Sequence, residues 1–216
     1  MHFHPSPPAD CQDCKRLARY RQANRVAYPR WRNAPVEPFG DRAARLLVVG
    51  LAPGLRGANR TGRPFTGDYA GDLLYATLLE LGFARGRYER RPDDGLTLSD
   101  CAIVNAVRCV PPENKPTPAE IAACRRYLAG VIGGLPRLKA IVALGRIAHD
   151  SALRVLGARP AAFPFAHGAR HDLDGSGVAL FDSYHCSRYN TNTGLLNESM
   201  FRAVFVAARD YLARAA

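Results

Sequence analysis

The chain lacks the two sequence features that mark membrane and secreted proteins. None of the apolar runs in its 216 residues approaches the roughly eighteen residues that a membrane-spanning helix needs. The first fourteen residues, MHFHPSPPADCQDC, hold no apolar stretch like the one at the centre of a secretory signal. We therefore expect a cytoplasmic protein with no membrane partner.

Lysine is scarce, and both common phosphate-binding motifs are missing. Only three of the 30 basic residues are lysine. A glycine-rich stretch, GLAPGLRGANRTGRPFTGD, occupies residues 50–68 and follows the apolar run ARLLVV. It lacks the Lys and the Ser or Thr that close a P-loop, and its glycines do not follow the GxGxxG spacing of dinucleotide-binding loops. A hydrolase of small nucleotides is therefore disfavoured, although it stays open as an alternative.

The charge balance is strongly positive, with 30 basic and 19 acidic residues and a formal net charge of +11. Domains this basic commonly bind nucleic acid or another polyphosphate. A basic protein with no such partner has the same composition. The charge is therefore consistent with a DNA partner without requiring one.

Six cysteines occur in a chain without a visible export signal, which argues against a disulfide framework. Cys11 and Cys14 form a CxxC pair, and the other four are widely spaced (Cys101, Cys109, Cys124 and Cys186). A CxxC far upstream of further cysteines indicates a metal or cluster site assembled in space. On the residues alone, zinc and an iron–sulfur cluster are equally good occupants.

Strand and helix patterns alternate along the chain. Four apolar runs predict strands, at residues 44–50, 101–109, 138–145 and 177–185, and amphipathic patterns between and after them predict helices. Residues 84–99 read as a polar loop, and residues 1–10 as a mobile end of a single domain spanning 1–216. This alternation predicts an α/β fold with helices on both faces of a parallel sheet, and a working site beyond the carboxyl ends of the strands.

Side chains suited to a planar base and a water molecule follow those strand ends: Phe65, Asp68, Asn114 and His185. An enzyme that acts on a flipped base needs such a set. Each residue also has an ordinary structural interpretation. Asp68 can cap a helix, Asn114 can form a turn, Phe65 can anchor a loop in the core, and His185 can be a hydrogen-bonded histidine at a strand end.

Four segments, GLAPGLRGANRTGRPFTGD, VRCVPPENKPTP, VALGRIA and SYHCSRYNTNTG, resemble the signature segments of the uracil-DNA glycosylase superfamily, in the same order. The resemblance is closest to the iron–sulfur-containing family 5, or type b, and runs from Cys11 to the final helix. It implies a three-layer α/β/α fold around a four-stranded parallel sheet. It also implies excision of uracil, and by extension hypoxanthine or xanthine, from DNA, without lyase activity.

The resemblance assigns roles residue by residue. The implied catalytic residues are Asp68, Asn114 and His185; the base-binding residues are Gly50, Ala52, Phe65 and Asn105; and the DNA-binding residues are Asn59, Arg60, Arg63, Ser187, Arg188 and Asn190. Many branches of the superfamily carry Asp or Asn where this chain has Ala52, so Asp68 and Asn114 would share the handling of water. Arg188 or Tyr189 would fill the gap left by the flipped base.

The resemblance also implies that Cys11, Cys14, Cys109 and Cys124 hold a [4Fe–4S] cluster with a structural role, which joins an N-terminal cluster-binding segment spanning 11–40 to the core. Cys101 and Cys186 would then be ordinary thiols, in a strand and in a loop. We expect a monomer that acts on DNA containing deaminated bases. The main alternative is a catalytically inactive DNA-binding module of the same fold.

Overall fold

The computed structural model describes residues 6–173 and 175–215, so residues 1–5 of the segment expected to be mobile lie outside it. Residues 9 and 10 of that segment are tied to the first helix, because Arg25 donates to the Ala9 carbonyl and to the Asp10 carboxylate. The helices are α1 (Lys15–Ala27), α2 (Ala58–Thr61), α3 (Tyr69–Glu80), α4 (Pro118–Gly133), α5 (Arg146–Val155), α6 (Arg188–Asn192) and α7 (Glu198–Arg214). The strands are β1 (Phe39–Gly40), β2 (Leu46–Gly50), β3 (Ala84–Arg85), β4 (Thr97–Leu98), β5 (Cys101–Asn105), β6 (Ala140–Leu144), β7 (Arg170–Leu173) and β8 (Val178–Ser183).

The main sheet has six strands in the order β1-β5-β2-β6-β8-β7. Its four central strands, β5, β2, β6 and β8, are parallel, with Val48 of β2 paired to Ile103 and Val142 on either side. These are the four strands that the apolar runs predict. The edge strands β1 and β7 are antiparallel additions that sequence reasoning missed.

The strands are buried on both faces, which is why they read as continuous apolar runs. Along β2, Leu46 and Val48 face the layer that contains α3 and α7, whereas Leu47 and Val49 face the layer that contains α4 and α5. Successive side chains of a strand point to opposite faces, so one short run serves both cores. The three-layer α/β/α architecture is confirmed.

Local sequence signals place the helix that follows the second signature segment. Thr117 accepts a hydrogen bond from the Glu120 N–H, the Glu120 carboxylate accepts from the Thr117 N–H, and Pro118 occupies the first helical position. This capping box satisfies N–H groups that a helix start otherwise leaves unpaired. The turn before it, which carries Asn114, is therefore fixed at both ends.

Two boundaries differ from the sequence expectation. Residues 84–99 are not simply a loop, because β3 and β4 pair at its ends as a small antiparallel ribbon. The strand expected over residues 101–109 ends at Asn105, so Cys109 lies four residues beyond it. Among the residues described, no helix is long and apolar enough to cross a membrane.

Candidate active site and cysteine centre

A cavity of about 390 Å³ lies at the carboxyl ends of the central strands. Parallel sheets place their sites there because the loops that follow successive strands meet at one edge. Six residues predicted to act on the base line this cavity: Ala52, Phe65, Asp68, Asn105, Asn114 and His185. The structure therefore brings together side chains that are separated by up to 133 positions in the sequence.

The glycine-rich loop encloses a carboxylate. A Cβ at Gly54 would lie 2.9 Å from Oδ2 of Asp68, and one at Gly57 would lie 2.1 Å from the same oxygen. Contacts below 3 Å cannot be accommodated without movement, so the bare backbone at these two positions makes room for Asp68. This explains the density of glycine in the loop better than a bound phosphate does.

Asp68 stands at the N-cap position of α3, but its side chain forms no capping hydrogen bond. Its Oδ1 is buried and has no hydrogen-bond partner among the described residues. Burial raises the pKa of Asp68, and the nearby N–H groups of Gly71 and Ala70 oppose that shift only in part. A buried polar atom without a partner is unusual. Asp68 also lines the cavity, so its side chain faces a possible ligand as well as the start of α3.

Phe65 and Asn105 meet over another glycine. A Cβ at Gly50, the last residue of β2, would lie 2.5 Å from both the Asn105 Oδ1 and the Phe65 Cζ. Phe65 is only 6% exposed and belongs to the core, yet its ring also lines the cavity. Asn105 is 3% exposed and also lines the cavity. Gly50 therefore shapes the cavity by allowing an aromatic face and an amide to approach each other.

His185 lines the cavity beside Phe65. Its imidazole stacks against Phe65 with ring centroids 6.0 Å apart and planes 28° apart. Burial lowers the pKa of His185 to about 4, so the ring is neutral near pH 7. Its backbone carbonyl accepts a hydrogen bond of 2.8 Å from the Asn190 side chain, which ties α6 to this wall. A neutral imidazole keeps one N–H to donate to a bound base.

Asn114 reaches the cavity from a short turn, Pro112–Asn114, that lies within the second signature segment. Both Glu113 and Asn114 have left-handed backbones, with φ of 54° and 57°. Asn adopts this conformation more readily than most residues. The turn-forming interpretation of Asn114 is therefore correct for its backbone, and its exposed side chain still lines the cavity.

The residues predicted to bind DNA divide into two groups. Arg188 lines the cavity, and its exposed guanidinium lies 5.3 Å from the Tyr69 ring centre; Arg60 is exposed as well. Ser187 caps α6 by accepting from the Asn190 N–H. Tyr189 is 74% exposed beside them. These side chains form an accessible surface next to the cavity.

Asn59 and Arg63 lie inside the protein, and their predicted contact with DNA is corrected. The Asn59 side chain is 1% exposed and donates to Asn33 at 2.9 Å. Arg63 is 5% exposed and forms a two-pronged ion pair with Asp94 at 2.7 and 2.8 Å. The side-chain amide of Asn190 donates a hydrogen bond within the protein, to the His185 carbonyl. Buried charges need a partner, and Arg63 already has one.

Four cysteines converge on a second, small cavity where α1 meets α4. Cys11, Cys14, Cys109 and Cys124 all line it, as the sequence predicts. Cys109 accepts a hydrogen bond from Arg21 at 3.4 Å. Cys101 lies in β5 and Cys186 in the loop after β8, and both are buried away from this site.

The surroundings of this cysteine site fit an anionic metal group. Burial raises the pKa of Cys14 to about 11 and that of Cys124 to about 12, so a cation is needed to ionise them near pH 7. Arg108 lines the same cavity, and neither Nη1 nor Nη2 of its buried guanidinium has a hydrogen-bond partner among the described residues, although Nη2 lies 3.5 Å from the Glu37 carboxylate. Thiolates at the cysteine site would add further negative charge beside this guanidinium.

A third group of potential ligands lies elsewhere in the described part of the chain. Ligand atoms of His149, His171 and Asp182, one from each residue, lie within 4.8 Å of one another. Asp182 accepts the ring contacts of both histidines, so this group is already internally paired.

Two functional neighbours escaped sequence reasoning. Arg21 lies seven residues after Cys14 on the same face of α1, and this spacing could have placed it at the cysteine site. Tyr69 lines the active-site cavity and is 37% exposed. Its position directly after Asp68 was the available signal. The resemblance assigns no role to either residue.

Comparisons with known proteins agree with this geometry. The sequence profile described as "Uracil DNA glycosylase superfamily" matches residues 37–209. The chain is 46% identical to a type-5 uracil-DNA glycosylase of Thermus thermophilus over 205 residues, covering 92% of each chain. It is 40% identical to a type-5 uracil-DNA glycosylase of Pyrobaculum aerophilum over 206 residues, covering 93% of this chain and 89% of the relative.

The fold has a solved counterpart. A crystal structure of SMUG2 from Pedobacter heparinus aligns over 97% of this chain and 91% of that one, with a TM-score of 0.51 and 12% sequence identity. At that identity the match concerns the fold alone. The profile match and the relatives at 40–46% identity show that the chain belongs to the uracil-DNA glycosylase superfamily, and within it to the type-5 uracil-DNA glycosylases.

Proposed function

We propose that this chain excises uracil from DNA by hydrolysing the N-glycosidic bond of a flipped nucleotide, as the first step of base excision repair. The observation that carries the proposal is Asp68. Asp68 lines a cavity whose walls include an aromatic ring and a neutral imidazole, and its buried Oδ1 has no hydrogen-bond partner among the described residues. The relatives named type-5 uracil-DNA glycosylase support the same activity.

Phe65 and Asn105 bind the base in this proposal. The Phe65 ring offers a face on which a planar base stacks, and stacking of this kind stabilises flipped bases. The Asn105 side chain carries both a donor and an acceptor, which can pair with the edge of a pyrimidine. Gly50 and Ala52 leave the space that the base occupies.

His185 stabilises the leaving base. Cleavage of the glycosidic bond transfers negative charge to the base oxygens while positive charge grows on the sugar. A neutral imidazole N–H aimed at a base oxygen donates a hydrogen bond that strengthens as this charge develops. The lowered pKa of His185 keeps the ring in the neutral form that this role requires.

Asp68 and Asn114 handle the sugar cation and the attacking water. A carboxylate beside the sugar stabilises the positive charge and can accept a proton from water. Asn114 reaches the same cavity from another loop and can orient the water through its amide. Ala52 stands where many related enzymes carry Asp or Asn, so these two residues must supply that function. No lysine lines the described cavity, which disfavours a Schiff-base lyase step.

The accessible side chains at the rim hold the DNA. Arg60, Ser187 and Arg188 contact phosphates, and Arg188 or Tyr189 fills the stack left by the flipped base. Insertion of a side chain offsets the cost of unstacking. We expect the protein to act as a monomer in the cytoplasm.

The four converging cysteines hold a [4Fe–4S] cluster that joins the N-terminal segment to the core. The convergence of the four cysteines on one small cavity, beside the basic side chains Arg21 and Arg108, supports a thiolate-bound metal group there. When bound, such a cluster supplies thiolate charge and a rigid link between α1 and α4. We assign it no part in bond cleavage.

The proposal is tested by base release from duplexes that each hold one U·G, U·A or hypoxanthine pair. We expect uracil to be released from both uracil duplexes. Hypoxanthine should be released more slowly, because Asn105 favours the edge of a pyrimidine. Tight, salt-dependent binding without release of any base would instead support the inactive DNA-binding module. Activity on free nucleotides without DNA would revive the small-nucleotide hydrolase.

A further inference from the structure

Phe65 has a backbone conformation that a bulky residue rarely adopts. Its φ is +52°, in the left-handed region, which is unfavourable for most residues other than glycine and asparagine. Residues in such conformations persist only where their surroundings hold them, and they concentrate at functional sites. The question is which contacts hold this ring against the cavity.

Two tyrosines hold the backbone carbonyl groups of Phe65 and of the residue before it. The Tyr88 hydroxyl donates to the Phe65 carbonyl at 3.0 Å, and the Tyr75 hydroxyl donates to the Pro64 carbonyl at 2.7 Å. A Cβ at Gly71 would lie 1.9 Å from the Phe65 oxygen and 2.3 Å from the Tyr88 hydroxyl. Gly71 therefore allows this hydrogen bond to form against the first turn of α3.

Arg63 fixes the same loop from the other side. Its Nε donates to Thr66 Oγ1 at 2.8 Å, and its two terminal nitrogens bind both oxygens of Asp94. The guanidinium also lies 5.4 Å from the Tyr75 ring centre and 5.7 Å from that of Tyr88. A planar, two-pronged pair of this kind sets orientation as well as distance.

Asp94 carries this restraint into the segment between β3 and β4. It accepts hydrogen bonds from the backbone N–H groups of Glu89 and Leu96, and its side chain is fully buried against Arg63. The hydrogen bonds from Arg63 hold the pKa of Asp94 well below its usual range. The segment expected to be a polar loop is thus fastened to the wall of the active site.

We propose that Arg63, Asp94 and Tyr88 form a clamp that presets the Phe65 ring for stacking on the flipped base. All three act as positioning residues. The inference rests on the stacking role of Phe65 proposed above and goes beyond it by assigning the segment between β3 and β4 to base binding. A stacking surface fixed in advance binds its ligand without the cost of ordering it.

The test measures the contribution of the base to binding. The probes are two duplexes, one carrying 2′-fluoro-2′-deoxyuridine, which resists cleavage, and one carrying a tetrahydrofuran abasic-site analogue at the same position. The dissociation constant of the fluorinated duplex is divided by that of the abasic duplex. This ratio reports contacts to the base, because both duplexes make the same contacts through their phosphates. We expect Tyr88→Phe, which loses only the hydroxyl, to weaken binding of the fluorinated duplex about five- to tenfold relative to the abasic one.

A double-variant cycle links the effect to Phe65. Once Phe65→Ala has removed the ring, adding Tyr88→Phe is expected to change the ratio no further. An unchanged ratio in Tyr88→Phe, with a clear loss in Phe65→Ala, would overturn the clamp and leave stacking intact. An unchanged ratio in Phe65→Ala would overturn the stacking role itself, and the clamp with it. Equal weakening for both duplexes in Tyr88→Phe would also overturn the clamp, because it indicates a general structural defect.

Asp94→Asn supplies a second test with a matched control. Asp93→Asn makes the same chemical change one residue earlier, at a carboxylate that is 76% exposed and lies 3.9 Å from Arg91. We expect Asp94→Asn to weaken binding of the fluorinated duplex relative to the abasic one, and Asp93→Asn to leave the ratio unchanged. Equal effects of the two variants would contradict the clamp, because the loss would then follow the charge of the segment. Tyr88→Phe keeps the proposal testable if Asp94→Asn fails to fold.

Discussion

The Asp68 carboxylate occupies the space that a side chain at Gly57 would need. The Gly57 Cβ position lies 2.1 Å from Asp68 Oδ2 and 2.7 Å from its Cγ. Gly57 does not have a positive φ, so the requirement for glycine here is steric and not conformational. The glycine-rich loop is thus shaped around a functional side chain.

Gly57→Ala is expected to lower the rate of uracil release on the order of a hundredfold, because displacement of a reacting group by about 1 Å can cost that much. The measurement is single-turnover release from a U·G duplex, with circular dichroism to verify folding. Gly133→Ala is the control, since Gly133 lies at the end of α4 with nothing within 4 Å of its Cβ position. A Gly57→Ala enzyme as active as Gly133→Ala would contradict the steric account.

Asp68→Asn is expected to raise the thermal stability of the protein at pH 7.5 while it lowers activity. The pKa of Asp68 is raised by burial, so the folded state disfavours the charged form. Stability from this group is present below its unfolded pKa and is lost as pH rises through the higher folded pKa. Removing the charge should therefore raise Tm, at about 2–4 °C per kcal/mol for a chain of this size. A lower Tm in scanning calorimetry would contradict this electrostatic account.

Both ring nitrogens of His149 face oxygen atoms. Its Nδ1 lies 2.7 Å from Asp182 Oδ1 and its Nε2 lies 2.9 Å from the Phe163 carbonyl. A carboxylate and a carbonyl both accept hydrogen bonds, so this arrangement favours the doubly protonated ring. Burial lowers the pKa of His149, but its hydrogen bond and charge interaction with Asp182 outweigh this effect and raise it. The pair anchors α5 to β8, the strand that leads into His185.

The stabilising effect of His149 is expected to depend on pH. Because its folded pKa is raised, its contribution is fully present below the unfolded pKa of about 6.5 and is lost as pH rises through the folded value. His149→Gln should therefore lower the free energy of unfolding by about 1–3 kcal/mol at pH 6, and by less at pH 9. Urea titrations of both proteins at the two pH values measure this. A gap that widens toward pH 9 would contradict the charged assignment.

Cys124→Ser is expected to abolish metal binding and to lower Tm. The wild-type protein, purified without oxygen, should be brown and contain iron, whereas the variant should be colourless. Cys186→Ser is the matched control, because Cys186 is buried away from the cysteine site and donates to the Ala70 carbonyl, which a serine can also do. Elemental analysis decides the outcome. Zinc in place of iron, or equal metal loss in both variants, would contradict the assignment.

The sequence predicted the centre of the fold better than its edges. The four parallel strands were visible because strands buried on both faces are apolar throughout, as Leu46 to Val49 illustrate. β1 has only two residues, and β7 has the polar sequence RHDL, so neither carried a recognisable pattern. Short edge strands depend on pairing that local sequence does not encode.

The candidate site was predicted in its members but not in its support. Asp68 and His185 could be placed because they follow strand ends within long motifs. Arg63 could not, because its burial depends on Asp94, which lies 31 residues away in a segment that read as a loop. An arginine in a glycine-rich loop reads as a surface cation until its partner is known. The clamp on Phe65 therefore emerged only from the structure.

The central claim is that the Asp68 carboxylate drives uracil release, and single-turnover kinetics on a U·G duplex test it most directly. The wild type is compared with Asp68→Asn and with Asp210→Asn, which breaks an exposed ion pair with Arg209 on α7. We expect Asp68→Asn to lower the rate on the order of 10² to 10³, and Asp210→Asn to stay within about threefold of the wild type. Release by Asp68→Asn at the wild-type rate would contradict the claim and move the handling of water to Asn114.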